Sequence, residues 1–240
     1  MDIQPLGDAA ILISFGEGIN KTIYQRVQHF TSMLQLAHIP GIIEWVPAYH
    51  SVAIYYRPEI ISYKKLVETV ERMDYDSQSV ESFQPIVYEI PVYYGGESGQ
   101  DLPYIAQYHK ISEEKVISLH SDKEYLIYMV GFVPGFPYLG GLAPQLEIPR
   151  LEHPRPRVPA GSVGIGGDQT GIYPSEVPSG WRIIGRTPIK LFEVDNPSPF
   201  LFSAGNYIKF FPIDWHEYLR IKNLVDEKEY SITKYVKEEE

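Results

Sequence analysis

The sequence contains no cysteine, which excludes disulfide bonds, thiol nucleophiles and cysteine-ligated metal sites. Its seven histidines show neither HxxxH nor HExxH spacing, so no zinc site is expected. No apolar run reaches the roughly 18 residues of a transmembrane helix. The first 15 residues carry acidic side chains but no Lys or Arg. We therefore expect no membrane span, no secretory signal peptide and a cytoplasmic location.

Basic residues are scarce, and the formal net charge is −10. This balance argues against binding to nucleic acids or to anionic membranes. Residues 1–130 carry 17 acidic and 9 basic side chains, whereas residues 131–190 carry 6 basic and 4 acidic ones. Five of those six bases are arginines, which suit two-pronged binding of carboxylate or phosphate. The local excess predicts either a site for a small anion or arginines that brace long loops, and both roles remain open.

Residues 1–85 are predicted to form a compact α+β domain. Apolar residues from Ile19 to Ala37 recur at spacings of three and four, which is typical of one helix face. Residues 3–15 are strand-like but broken by Pro5 and the Gly7-Asp8 turn pair. Further strands are predicted at 42–46 and 51–56, with a second helix at 63–73. Together with a further strand from Ile86, this order resembles a split βαβ arrangement. A polar stretch without periodicity at 74–85 predicts a linker at which the two domains separate.

Residues 86–213 are predicted to form a β-barrel domain. Residues 131–212 hold 13 of the 20 prolines and 12 of the 19 glycines, which excludes long helices there. Short strands are predicted between these breakers, at 162–165, 181–184, 189–194 and 207–211. Upstream of them we predict a strand at 86–94 and helices at 101–109 and 112–120. Residues 214–240 are predicted to form a surface helix and a charged, solvated tail.

Two glycine motifs resemble catalytic signatures and are rejected. GWRIIGRT at 180–187 imitates a phosphate-binding loop, but its interior has the composition of a strand and no helix follows. AGSVG at 160–164 approaches a nucleophile elbow around Ser162, yet strand-like residues follow it instead of a helix. The glycines at 161–167 are better explained by close approach of the backbone to a ligand or a neighbouring strand.

An aromatic segment at 131–142, GFVPGFPYLGGL, is the most specific motif. Prolines and glycine turns restrict Phe132, Phe136 and Tyr138, and rigid aromatic side chains make good groove walls because they lose little entropy on contact. The alternative is a loop that packs on itself and caps one end of the barrel. The sequence favours neither alternative.

Five collinear segments in the second half of the chain carry a family resemblance. They are 131–142 (GFVPGFPYLGGL), 149–159 (PRLEHPRPRVP), 160–174 (AGSVGIGGDQTGIYP), 179–187 (SGWRIIGRT) and 204–212 (AGNYIKFFP). They resemble the family that contains allophanate hydrolase subunit 1 and the B subunit of 5-oxoprolinase, and that includes Kip-type inhibitors of a sporulation histidine kinase. LGD at 6–8 and EWVPAY at 44–49 are similar to the family's beginning.

The resemblance implies a small α+β domain followed by a cyclophilin-like β-barrel. It implies one component, inactive alone, of a heteromeric enzyme that opens 5-oxo-L-proline to L-glutamate. ATP would be the co-substrate, with Mg²⁺ expected to accompany it, and the partners would be a larger C-type subunit together with an A-type subunit. The alternative is an inhibitor that binds a sensor histidine kinase. Prolyl isomerase activity rests on fold analogy alone and is discounted.

Catalytic residues are not assigned, and no metal site is expected. Two positions depart from the family pattern: Ser179 replaces a glycine, and Asn206 replaces an aspartate whose carboxylate is therefore absent. The candidate substrate-binding residues are Arg155, Arg157, Arg186, Phe132, Phe136, Tyr138, Ser162, Gln169, Thr170 and Trp181.

Overall fold

The structure is a computed structural model that describes residues 1–73 and 84–238. The chain divides into two compact units, Met1–Phe83 and Gln84–Glu240. The proposed linker at 74–85 falls almost entirely outside the described residues. Within those residues, no helix combines the length and the apolar character needed to cross a bilayer.

The first unit is a four-stranded antiparallel sheet with two helices. Its elements are β1 (Asp2–Pro5), β2 (Ala10–Ser14), α1 (Lys21–Ala37), β3 (Ile42–Pro47), β4 (Ser51–Tyr56) and α2 (Tyr63–Glu71). The strands lie in the order β1-β2-β4-β3, with each strand antiparallel to its neighbours. The strands β2 and β3, which α1 connects, therefore run in the same direction with β4 between them. This is the predicted split βαβ arrangement, although the strand from Ile86 belongs to the second unit.

Helix α1 illustrates how the sequence determines local structure in this unit. The Asn20 side chain accepts hydrogen bonds from the amides of Thr22 and Ile23 and so caps the first turn. The apolar stripe buries Val27, Phe30 and Leu34 against the sheet, as the spacing predicted.

The second unit is a closed barrel flanked by helices. Its elements are β5 (Ile86–Tyr94), α3 (Leu102–His109), α4 (Glu113–Ser121), β6 (Glu124–Val130), β7 (Pro137–Gly140), β8 (Arg155–Val158), β9 (Ser162–Gly166), β10 (Gln169–Ile172), β11 (Val177–Ser179), β12 (Arg182–Arg186), β13 (Tyr207–Pro212), α5 (Trp215–Asp226) and β14 (Lys234–Val236).

Seven of the described strands close into a ring in the order β5-β12-β9-β10-β7-β6-β13. β13 runs parallel to β5, and the short pairing of β12 with β5 at Tyr93 and Tyr94 completes the closure. Apolar side chains fill the interior, among them Ile90, Ile127 and Phe210. The prediction of an α+β fold with a cyclophilin-like barrel is confirmed.

Several details differ from the sequence prediction. β7 lies inside the predicted loop at 131–142, because its backbone pairs with both β6 and β10. Residues 189–194 form no strand, and only Phe192 makes an isolated bridge, to Phe200. The structure also contains strands that were not predicted, among them β6 and β14. β14 pairs with β5 at residues 86–88, and Tyr235 donates a hydrogen bond to Glu124 at 2.7 Å.

Candidate functional site

A cavity of about 480 Å³ lies beside β8 and β12, and we call it the arginine cavity. Arg157, Arg186 and Ser162, three of the predicted residues, line it. Glu97, Ser98 and Gln100 contribute polar side chains from the turn between β5 and α3. Tyr93 and Trp215 contribute an aromatic wall. The cavity therefore combines two cations, several hydrogen-bonding groups and flat apolar rings.

The two arginines of this cavity keep most of their hydrogen-bonding capacity. The Arg157 side chain is 80% exposed, and its Nε lies 3.7 Å from a carboxylate oxygen of Glu176. An exposed pair at that distance contributes little and is readily exchanged for another anion. Arg186 donates from Nε to the carbonyl of Ala160 at 2.8 Å, which uses one of the five donors of its guanidinium. Both side chains are suited to binding a ligand anion.

Arg155 lies on the same strand as Arg157 but does not line the cavity. Its guanidinium donates to Asp101 Oδ1 at 2.7 Å and to the carbonyl of Trp181 at 3.3 Å. The other Asp101 oxygen accepts the amide of Ile183 at 2.6 Å, and Arg182 approaches the same carboxylate at 4.0 Å. The Asp101 side chain is only 7% exposed. Arg155 therefore braces α3 against β12.

Ser162 is buried at the start of β9, and the cavity reaches it. Its backbone carbonyl accepts the amide of Tyr173 at 2.9 Å. Gly161, just before it, has φ of +81°, and a Cβ there would lie 2.3 Å from the Thr187 carbonyl, so only glycine fits this turn. A strand follows Ser162, as predicted, so the geometry is not that of a nucleophile elbow.

A second cavity, of about 280 Å³, contains the remaining predicted aromatic residues, and we call it the aromatic cavity. Phe136 and Trp181 are buried with their ring centroids 5.7 Å apart, and Tyr138 lies 5.0 Å from Phe136. Phe132 is 66% exposed at the rim and adopts φ of +65°, which is uncommon outside glycine. Rigid rings thus line a groove and also pack on one another.

Among the lining residues of the aromatic cavity that sequence reasoning missed are a cation, Arg150, and a further aromatic residue, Tyr173. The Arg150 guanidinium lies 5.7 Å from the centre of the Trp181 ring, and Tyr173 packs against Phe136. Burial raises the pKa of Tyr173 to about 12, although its hydrogen bond with Ser179 and the nearby charge of Arg150 oppose the rise. The Ser179 hydroxyl also accepts the amide of Trp181 at 3.0 Å. Arg150 lies in the segment 149–159 and Tyr173 in the segment 160–174, both of which carry the family resemblance.

One apolar cluster connects the linings of the two cavities. Val158 and Ile183 line the arginine cavity and also belong to the apolar cluster of Phe136, Tyr173 and Trp181. The Arg155–Asp101 pair is attached to this cluster through the carbonyl of Trp181 and the amide of Ile183. Eight of the ten predicted residues are therefore distributed over the two cavities and the Arg155–Asp101 ion pair.

Thr170 and Gln169 lie on β10, and neither lines the two cavities. Thr170 is fully buried and donates to the carbonyl of Gly164 at 3.0 Å. It therefore accepts from His120 Nε2 at 2.9 Å, which leaves His120 Nδ1 to accept the Tyr94 hydroxyl at 2.7 Å. Burial lowers the pKa of His120 to about 3, so the ring is neutral.

Asn206 has a structural role as well. Its side-chain oxygen accepts the amide of Ile86 at 2.9 Å, and its amide nitrogen donates to Ser203 at 2.7 Å. An aspartate carboxylate has no such donor. The residue ties the start of β5 to β13.

Comparison with known proteins gives concordant results. The family model for the carboxyltransferase domain, subdomain C and D, matches residues 1–202. The chain is 41% identical to the B subunit of 5-oxoprolinase from Bacillus subtilis over 236 residues, which cover 92% of this chain and 98% of that protein.

Among solved structures, TTHA0988 is 35% identical with a TM-score of 0.74, covering 86% of this chain but only 40% of the longer protein. Urea carboxylase of Kluyveromyces lactis is 20% identical with a TM-score of 0.81, covering 97% of this chain and 23% of that enzyme, and it supports the fold alone. The chain belongs to the carboxyltransferase subdomain C and D family, in the group that contains the 5-oxoprolinase B subunit.

Proposed function

We propose that this chain is the B subunit of a heteromeric, ATP-dependent 5-oxoprolinase in the cytoplasm. With a larger C-type subunit and an A-type subunit, it opens 5-oxo-L-proline to L-glutamate. The observation that carries the proposal is the arginine cavity, in a chain that covers 98% of a relative named as the 5-oxoprolinase B subunit.

The chemistry of lactam opening explains why such a cavity is useful. The reaction consumes one ATP and two water molecules, one that opens the lactam and one that releases the phosphoryl group, and it yields glutamate, ADP and phosphate. Phosphorylation of the lactam oxygen makes the ring carbon electrophilic, and negative charge accumulates on the transferred group. Preorganised cationic donors stabilise that charge. Arg157 and Arg186 supply them from one cavity, and the adjacent Ser162 hydroxyl offers a further hydrogen bond.

The chain alone is expected to be inactive, because the described residues that line its arginine cavity include two cations and one carboxylate, Glu97, but no histidine or second carboxylate to act with it as an acid–base pair. Purified chain, purified partners and the reconstituted assembly should be compared for release of glutamate and phosphate from 5-oxoproline and ATP. Turnover is expected only from the complete assembly. Steady glutamate release by the single chain, or an intact assembly without turnover, would contradict the proposal.

The same partners distinguish this function from inhibition of a sensor histidine kinase. Affinity capture from native lysate is expected to recover a larger C-type subunit together with 5-oxoprolinase activity. Recovery of a histidine kinase without that activity would favour the regulatory alternative.

A further inference from the structure

We propose that the arginine cavity is a nucleotide site that binds the base of ATP against Trp215 and Tyr93 and the phosphates at Arg157 and Arg186. The inference rests on the proposed function and extends it, because it places the nucleotide on this chain and not on a partner. Four features of the cavity support this inference: an aromatic platform, a pair of cations, a polar turn held by backbone hydrogen bonds, and a volume that suits a nucleotide.

The aromatic platform is held in place by contacts within the chain. Trp215 is half-exposed, and its indole stacks on Tyr218 with centroids 5.0 Å apart and planes only 7° apart. Tyr93 supports it at 5.2 Å. The Asp214 side chain accepts the amide of Glu217 at 2.8 Å and so fixes the first turn of α5, on which Trp215 lies. A rigid, half-exposed indole is suited to stacking with a nucleobase.

The cationic part of the cavity suits several phosphate groups. Arg186 is oriented by its bond to the Ala160 carbonyl, and Arg157 extends into solvent from β8. Guanidinium groups bind phosphate through paired, charge-assisted hydrogen bonds. Among the described residues of the lining, Glu97 is the only carboxylate, so the cations outnumber it.

The turn between β5 and α3 is held rigidly against β12. The amide of Gly95 donates to the Ile184 carbonyl at 3.0 Å, and the amide of Asp101 donates to the Ile183 carbonyl at 2.9 Å. A Cβ on Gly99 would lie 2.1 Å from the Ile184 carbonyl oxygen, so glycine is required for this approach. Glu97, Ser98 and Gln100 are thereby fixed at the cavity. Glu97 supplies an acceptor for ribose hydroxyls, and the other two side chains supply donors.

The volume and the mixed chemistry favour a nucleotide over a small lactam acid. Ligand pockets of drug-sized molecules measure about 300–1,000 Å³, and the arginine cavity, at about 480 Å³, lies in that range. A five-membered lactam with one carboxylate carries a single negative charge and a ring much smaller than a purine, so it leaves one arginine without an anion and most of the indole platform uncovered. A base joined to a polyphosphate engages both features at once.

The test separates the two parts of the ligand. Binding of ATP and of inorganic pyrophosphate is measured by calorimetry on the full chain and on the reconstituted assembly. Trp215→Ala should weaken ATP binding about tenfold through lost stacking and leave pyrophosphate binding unchanged. Arg157→Ala should weaken the binding of both ATP and pyrophosphate. Trp215→Phe should restore most of the ATP affinity, and Arg220→Ala, an exposed arginine of α5 paired with Glu217, is the matched control.

The outcomes distinguish this inference from the proposed function. If the Trp215→Ala assembly turns over 5-oxoproline with the wild-type KM for ATP, the nucleotide site lies elsewhere and the proposed function survives. If the wild-type assembly has no turnover, the function fails, and ATP binding that depends on both Trp215 and Arg157 would still support the site. Equal loss of ATP and pyrophosphate binding in Trp215→Ala would overturn the stacking assignment.

Discussion

Arg155 and Arg157 occupy the same strand, two residues apart, and have opposite environments. Arg155 is 24% exposed and donates to a buried carboxylate, whereas Arg157 is 80% exposed with one loose pairing. The first guanidinium is committed to the fold, and the second is available to a ligand. The difference shows that a cluster of like charges in a sequence is not one site, because each charge acts according to the partner that the fold brings to it.

The same contrast separates the barrel interior from the arginine cavity. In the interior, one chain of hydrogen bonds runs from the Tyr94 hydroxyl through His120 to the Thr170 hydroxyl. Thr170 in turn donates to the carbonyl of Gly164, so each of these polar groups has a partner. In the cavity, polar side chains line a space large enough for a ligand. Interior polar groups should therefore control stability, and cavity groups should control activity.

The largest expected effect is a loss of stability when the Arg155–Asp101 ion pair is broken. Arg155→Ala leaves the buried Asp101 carboxylate without its closest cation. Removing one partner of a buried pair typically costs 3–5 kcal/mol, and we expect about 3 kcal/mol because the guanidinium is partly exposed. Urea unfolding followed by tryptophan fluorescence measures the loss. A change below about 1 kcal/mol would show that the pair does not brace the barrel.

The second effect concerns turnover. Arg157→Ala should lower the activity of the reconstituted assembly tenfold to a hundredfold, since a hydrogen bond to a charged group contributes about 1.5–3 kcal/mol. The melting temperature and the association with partners should not change, because the side chain is mostly exposed. Arg157→Lys should rescue poorly, since an ammonium lacks the planar fork. Normal turnover per assembled complex would exclude an anion-binding role for Arg157.

The contrast between Arg155 and Arg157 also shows which features the sequence predicts and which it does not. The helix face with Val27, Phe30 and Leu34 follows from local spacing, and so do the strands of the first unit. The role of Arg155 depends on its contact with Asp101, 54 residues earlier in the sequence, and no local pattern predicts that contact.

The arginine cavity was only half predictable for the same reason. Its arginines and Ser162 come from motifs that are close in sequence, but Trp215 comes from α5 and Glu97 from a turn before α3. The barrel closure brings these segments together. The glycines of the 95–99 turn were the available signal, and only the packing of Gly99 against β12 explains their purpose.

The third prediction is a dependence of stability on pH. The pKa of His120 is lowered to about 3 in the folded chain, against about 6.5 when unfolded. The unfolded state therefore binds an extra proton between these values, so stability is fully present above pH 6.5 and falls as the pH decreases toward 3. From pH 7 to pH 5.5 this residue should cost about 1 kcal/mol.

The control for the third prediction is a side chain that does not titrate. His120→Gln retains hydrogen-bonding groups, so its unfolding free energy should depend less on pH, although it should be lower at neutral pH. Equal slopes for the two proteins between pH 7 and pH 5.5 would show that His120 does not cause the effect.

The smallest effect on turnover is expected at Ser162, which combines a feature of the barrel interior with one of the arginine cavity. It is buried like an interior residue, yet it lines the arginine cavity. A nucleophilic serine needs a base within hydrogen-bonding reach and a turn into a helix. Ser162 instead begins a strand, and the interior His120 is engaged by Tyr94 and Thr170. Ser162→Ala should therefore reduce turnover of the assembly by less than about tenfold, as for one lost neutral hydrogen bond.

Ser162→Thr is the matched variant, since it keeps the hydroxyl and adds a methyl group in a tight turn. Steady-state turnover and hydroxylamine trapping on the same assemblies measure the outcome. Loss of turnover by a thousandfold or more in Ser162→Ala, together with a trapped acyl-enzyme in the wild type, would make Ser162 a covalent catalyst. A modest loss without trapping places it with the arginines as a ligand-binding group, and the cavity then acts through charge and position alone.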